Sequence, residues 1–356
     1  MKQQLNSLQL YRGVASLLVV FHHANTILDR ELKQDGSFKI FHFGWVGVDF
    51  FFVLSGFIIF YIHHADLGQP SQFKSFIAKR FLRIYPLYWI ILFGKIFTSL
   101  LDKSSIISQS SPIRFIQVIL LVPQERANLD RFIGVSWTLT HEIFFYLLFG
   151  LLILLKPKIS RIIIIAWIVG LVLNFMNLVS IDRSLLFDFV FNARNLEFIF
   201  GCLAAYVVIK YDDNNGKIWI FAALGMLIVA ILNTRYHELG GVSAEIAPIA
   251  YGIPFALLIV GSVRVEKSTF LKIPAVLIYL GNASYSIYLT HGFFISNSAR
   301  IYLKFAEKYN TNLLSLRSDS IICILISILI VSFSVAVGCI TYAAIERPMM
   351  KVLRGK

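Results

Sequence analysis

The chain places residues capable of chemistry where apolar side chains are expected. Residues 8–28 form an apolar run that also holds Arg12, His22 and His23. In a helix, the eleven residues from Arg12 to His23 turn through three full turns plus about 20° and rise roughly 16 Å. Arg12 and His23 therefore share a face, with Arg12 near the cytoplasmic edge and His23 near mid-membrane. His22 points about 80° away. A neutral imidazole can take a proton near physiological pH and act as a general base. A hydrogen-bonded packing histidine fits the same position equally well. Ionisable groups at this depth are costly, so function is their default reading.

Other polar residues interrupt later runs. Asp49 lies in the segment 44–57, where Gly47 and Gly56 suit close helix packing as much as catalysis. Arg80 and Arg83, just before Tyr85-Pro86, share a helix face. Paired guanidiniums suit a phosphate-rich ligand, but also anionic lipid headgroups, with Tyr and Trp as interfacial belt residues. The residues alone slightly favour the lipid. Trp137-Thr138-Leu139-Thr140-His141-Glu142 sets Glu142 and Thr138 on one face, so the glutamate must meet protein interior or a wet cavity. Arg194 and Glu197 can pair structurally. Asn282–His291, with Tyr288, is a polar stripe through an apolar helix, and Glu346-Arg347-Pro348 reads as a helix stop with a local charge pair. His63-His64 make no metal constellation, and no metal is expected. Cys202, Cys323 and Cys339 all sit in apolar stretches and read as small core residues.

The elements that must position these residues are membrane spans. Of 356 residues, 57% are hydrophobic and 15% charged, where a soluble domain carries roughly a quarter charged. The formal charge of +13 is scattered between apolar runs, which suits membrane flanks rather than nucleic acid. Runs long enough to cross a bilayer lie near 8–28, 45–63, 84–101, 135–155, 162–179, 189–209, 218–233, 247–263, 275–297 and 320–345. A shorter run near 113–123 reads as re-entrant or interfacial. The expected fold is an all-α polytopic bundle of about ten spans, one domain over 1–356 with no appended periplasmic domain. Lys74, Lys79, Arg80 and Arg83, then Lys156, Lys158 and Arg161, then Arg264, Lys267 and Lys272, and the basic tail fall on alternate connections, which orients both termini to the cytoplasm. The connection near 300–319, with Arg300, Lys304, Lys308 and Arg317, weakens that bias. No cleavable signal peptide is expected, and the first run stays as a span. Phosphate-cradling loops, zinc-protease helices and nucleophile elbows are absent from the sequence.

These residues, in this order, resemble the acyltransferase-3 family of bacterial membrane acyltransferases. The resemblance rests on Arg12 and His23 at their spacing, the Gly47–Phe57 run, Arg80-x-x-Arg83 with Tyr85-Pro86, Trp137–Glu142, the Asn282–His291 stripe and Glu346-Arg347-Pro348. It covers essentially the whole chain, and residues 134–146 look most like the exopolysaccharide-type branch. The resemblance implies an O-acetyltransferase of the bacterial inner membrane. Cytoplasmic acetyl-CoA is the implied acyl donor, and the acceptor is a lipid-linked or polymeric surface glycan such as exopolysaccharide, O-antigen of lipopolysaccharide, or capsule. His23 is the implied general base, with Glu142 or Asp49 orienting it or the acceptor. Arg12, Arg80, Arg83 and Tyr85 are the implied donor-binding residues. Trp137, Arg194, Tyr288 and His291 are assigned to the acceptor. A homodimer is left open. Competing readings are a glycolipid transporter or flippase, whose charges would line a path, and a non-catalytic component of a polysaccharide export complex.

Overall fold

The computed structural model describes residues 5–32, 39–101, 111–125, 132–176, 178, 184–211, 215–236, 246–269, 272–308 and 321–353. Among them every regular element is helical: α1 (Asn6–Leu32), α2 (Val46–His63), α3 (Phe73–Leu101), α4 (Pro112–Leu120), α5 (Ser136–Leu154), α6 (Pro157–Phe175), α7 (Leu185–Val190), α8 (Asn195–Lys210), α9 (Gly216–Tyr236), α10 (Ala247–Ser268), α11 (Ala275–Lys308), α12 (Ile321–Thr341) and α13 (Arg347–Leu353), with short 3₁₀ turns and one π turn. The polytopic all-α bundle read from the sequence is the observed fold. Eight stretches among the described residues are long and apolar enough to cross a bilayer. Helices α1 and α11 have the length, at 27 and 34 residues, but carry the polar side chains discussed above.

Each apolar run of the sequence coincides with a helix, with two changes. The run at 189–209 is broken at residues 191–194, which separate α7 from α8. The last run does not stop at Glu346-Arg347-Pro348. A π turn over Tyr342–Glu346 passes the chain into α13. Proline fits there because it stands at the second position of α13, where its missing N–H removes little.

Glycines bring helix backbones together, as expected where lipid supplies no hydrophobic drive between helices. A Cβ on Gly56 would sit 2.1 Å from the Phe198 carbonyl oxygen, and one on Gly201 would sit 1.9 Å from that of Val53, so α2 and α8 cross at backbone contact. Gly47 does the same for α2 against Ala15 of α1, where the distance would be 2.5 Å. Helices α1 and α11 run parallel: Arg12 meets Ser284, His23 meets His291, and Glu31 meets Ser296 and Arg300. Parallel packing is what two odd-numbered spans require.

The short run near 113–123 forms α4. Its Ser111 N-cap accepts from Arg114 N at 3.4 Å. Its last carbonyls take side-chain donors from α3: Trp89 to Ile119 O at 3.0 Å and Tyr85 to Leu120 O at 2.8 Å, while Val118 O accepts from Tyr88 at 2.8 Å as well as from Leu121 N at 3.2 Å. Val118 and Leu121 are buried while Ile113, Ile116 and Leu120 are exposed. That amphipathic surface suits an interfacial position.

Candidate functional site

A cavity of about 990 Å³ opens in the middle of the bundle. Its walls come from α1, α2, α3, α5, α11 and the C-terminal segment. On α2 it is lined from Val48 to Ile62, a rise of fourteen residue steps, which corresponds to a length of about 21 Å. It is therefore a channel. One end is an exposed mouth carrying Lys79, Arg80, Arg347 and Lys351. The other is enclosed by Val48, Phe51, Thr138 and Tyr288. Arg12, Arg83, Glu142, Glu346 and Ser284 lie along it.

The cations in this channel are held in different ways. Arg83 Nη1 donates to Glu346 Oε1 at 2.7 Å, and Glu346 Oε2 accepts from Ser286 Oγ at 2.6 Å. Glu346 thus pairs across the bundle and not with its neighbour Arg347, which corrects the local pair read from the sequence. The guanidinium of Arg83 also lies 5.2 Å from the Tyr285 ring centre. Arg12 donates to Ser284 Oγ at 3.1 Å. Arg80 Nη2 donates to His63 Nε2 at 3.1 Å, and His63 Nδ1 donates to Asp66 at 2.7 Å. Since Arg80 can only donate, His63 Nε2 must be the bare nitrogen. His63, set aside in the sequence, is the residue that holds Arg80 at the mouth. The buried Nε of Arg80 has no hydrogen-bond partner. An orphaned guanidinium donor inside a cationic mouth fits an anionic oxygen.

Glu142 lines the channel, accepts from the Tyr146 hydroxyl and lies 3.5 Å from Ser55 Oγ. Asp49 is fully buried elsewhere. It accepts from Arg194 Nη1 at 2.7 Å, and the Arg194 guanidinium stacks 5.2 Å from the Trp137 ring. The salt bridge of Arg194 therefore goes to Asp49, not to Glu197. Tyr85 does not line the channel; its hydroxyl is committed to Leu120 O. His141 donates from Nδ1 to Asn195 Oδ1 at 3.2 Å and stacks on Phe189 with ring centres 4.3 Å apart. The Asn195 amide nitrogen gives its protons to Phe189 O and Val190 O, both at 3.0 Å, so its oxygen is the acceptor. His141 is thus an anchor between α5, α7 and α8.

His23 is not among the channel-lining side chains. It stands beside the channel's enclosed end, joined to it through α11. Tyr288 closes the channel, and one turn later His291 Nε2 lies 3.0 Å from His23 Nδ1. The structure therefore brings together Arg12, Arg80, Arg83, Glu142 and Tyr288 along one channel and sets the His23–His291 pair at its end. Asp49, Arg194 and Trp137 form a separate cluster. His22 donates to His42 O at 2.8 Å and ties the turn before α2 onto α1. Sequence reasoning missed His63, Arg347 and Lys351 at the mouth. Their only sequence signal was a cationic or imidazole group next to a span end.

The chain belongs to the acyltransferase-3 family, whose acyltransferase domain matches residues 5–341. It is a membrane O-acyltransferase. It is 26% identical over 276 residues to the exopolysaccharide production protein ExoZ of Rhizobium meliloti (strain 1021), covering 73% of this chain and 79% of that protein. It is also 26% identical over 275 residues to the O-acetyltransferase OatA of Staphylococcus aureus (strain NCTC 8325 / PS 47), covering 70% of this chain. The match spans 45% of OatA, less than half of that protein. No solved structure matches the chain.

Proposed function

We propose that this protein moves an acetyl group from acetyl-CoA to a sugar hydroxyl of a bacterial surface glycan, in the inner membrane, with His23 as general base. The observation that carries the reading is the channel: cationic at its mouth, about 21 Å long by the span of α2, and closed next to the residue that holds His23. A phosphate-rich donor with a long uncharged arm has this shape and charge. With both termini in the cytoplasm, as the basic connections suggest, the mouth faces the compartment where the donor is made.

On this reading Arg80, Lys79, Arg347 and Lys351 receive the donor's phosphates. The arm runs past Arg83 and Arg12, carrying the thioester toward Tyr288. Cavities of roughly 300–1,000 Å³ hold ligands of drug size, and this one is at the upper end. The acceptor approaches His23 from the other side of Tyr288. His23 takes the hydroxyl proton as the sugar oxygen attacks the thioester carbonyl carbon. The carbon–sulfur bond then breaks, and the leaving thiolate takes the proton back from the imidazolium. The products are the O-acetyl sugar and the free thiol. Glu142 sits beside the arm and helps set the charge balance among Arg12 and Arg83, while the cluster of Asp49, Arg194 and Trp137 belongs to the acceptor side.

The relatives' names fit this chemistry: one is called an exopolysaccharide production protein, the other an O-acetyltransferase. The test is reconstitution of the purified protein in vesicles with isotopically labelled acetyl-CoA and glycan from a strain lacking the gene. Label in the glycan that disappears with His23→Ala supports the proposal. Equal labelling by wild type and His23→Ala refutes the base assignment, and no labelling by folded wild type refutes the donor or the acceptor.

A further inference from the structure

We infer that His291 is a positioning residue that locks His23 in one tautomer and presents the Nε2 lone pair of His23 as the working base. The inference rests on the proposed general-base role of His23 and deepens it.

His291 Nδ1 lies 2.7 Å from Tyr288 O and 3.2 Å from Ile287 O. Carbonyl oxygens only accept, so the His291 Nδ1 carries a hydrogen. A neutral imidazole has one N–H, which leaves Nε2 of His291 as an acceptor. That nitrogen is 3.0 Å from His23 Nδ1, so His23 must supply the hydrogen between them. His23 is then the Nδ1–H tautomer, and its basic nitrogen is Nε2. A second proton on His291 would reverse the bond, but it would put a charge on a side chain only 1% exposed.

The surroundings hold this arrangement still. The Nδ1 bonds of His291 go to carbonyls of its own helix, so its ring cannot rotate without losing them. Ser334 Oγ donates to His291 O at 3.2 Å, tying α12 to the same turn. The two imidazoles are tilted by 37° with centres 5.0 Å apart, an in-line contact rather than a stack. His291 does for His23 what a buried carboxylate does for the histidine of a hydrolase triad: it selects the tautomer, aims the ring and accepts a hydrogen bond from the imidazolium that forms. It does so as a neutral ring, without placing a further negative charge next to His23.

The test is ¹⁵N NMR of histidine-labelled protein in nanodiscs, with His23 assigned from its loss in His23→Gln. The expected wild-type spectrum shows His23 protonated at Nδ1 and bare at Nε2. In His291→Phe the preference is lost, kcat falls by about 10²–10⁴-fold as for other wrong-tautomer variants, and KM for acetyl-CoA stays within about twofold. His291→Gln, whose amide oxygen reaches the position of Nε2, recovers at least about a tenth of the lost rate. A wild-type His23 protonated mainly at Nε2 would overturn the inference. So would His291→Phe with unchanged tautomer and unchanged kcat. The NMR result does not depend on the donor: failure of acetyl-CoA as substrate would defeat the proposed function alone, with the tautomer still deciding this inference.

Discussion

Replacing Glu346 by alanine leaves Arg83 facing the channel without its carboxylate. The separation is 2.7 Å, with the Glu346 side chain 3% exposed and that of Arg83 27% exposed. Coulomb's law at that distance, with an effective dielectric constant near 20, gives about 6 kcal/mol of attraction. Desolvation of the two ions offsets much of this, and removing one member of a buried pair typically costs about 3–5 kcal/mol. Partial exposure of Arg83 lowers the expected cost of Glu346→Ala to about 2–3 kcal/mol. Replacing both partners, as Arg83→Met with Glu346→Leu, removes the stranded charge and should fall within about 1 kcal/mol of wild type. The assay is denaturant unfolding in mixed micelles of the wild type, Glu346→Ala, and the closed cycle of Glu346→Leu, Arg83→Met and their double variant. The expected coupling is about 2 kcal/mol or more. Single-variant effects that simply add in the double variant would refute the claim that these residues, 263 positions apart, form one electrostatic unit.

Further outcomes follow from the same geometry. Arg80→Ala should raise KM for acetyl-CoA about tenfold or more while changing kcat less. His63→Leu, which removes the acceptor that holds Arg80, should move KM in the same direction by a smaller factor; initial-rate kinetics measure both. Gly56→Ala and Gly201→Ala should each cost about 2 kcal/mol or more, because the added methyl would lie 2.1 Å and 1.9 Å from backbone oxygens. Gly94→Ala, with nothing within 4 Å, should be near neutral in the same melts. Tyr85→Phe should cost about 1–2 kcal/mol by stranding Leu120 O at the end of α4, and hydrogen exchange should show α4 opening more readily.

The spans were readable because each is a long apolar run, and burial in lipid requires little else. Arg12, His23 and Glu142 stood out for the same reason, as polar groups inside those runs, and Arg80 and Arg83 as a cationic pair just before one. What the sequence did not reveal is who meets whom. Parity of span number shows that α1 and α11 run parallel but not that they touch, so His291 as partner of His23, 268 residues away, was out of reach. Glu346 next to Arg347 suggested a local pair, yet the π turn aims its carboxylate inward to Arg83. Tyr85 looked like a ligand-binding neighbour of two arginines, but the unsatisfied carbonyls of α4 claim its hydroxyl. Both differences arise from backbone groups and turns whose needs become visible only once the helices are assembled.

On the proposed function, a donor entering the cationic channel gives up its acyl group under the control of His23. The most direct measurement combines binding of labelled coenzyme A with acetyl transfer to glycan, in vesicles, for wild type and His23→Ala. Both proteins should bind coenzyme A with affinities within about threefold, since His23 lies outside the channel lining, and only the wild type should transfer. Transfer by His23→Ala at the wild-type rate, or absence of coenzyme A binding by the folded wild-type protein, would contradict it.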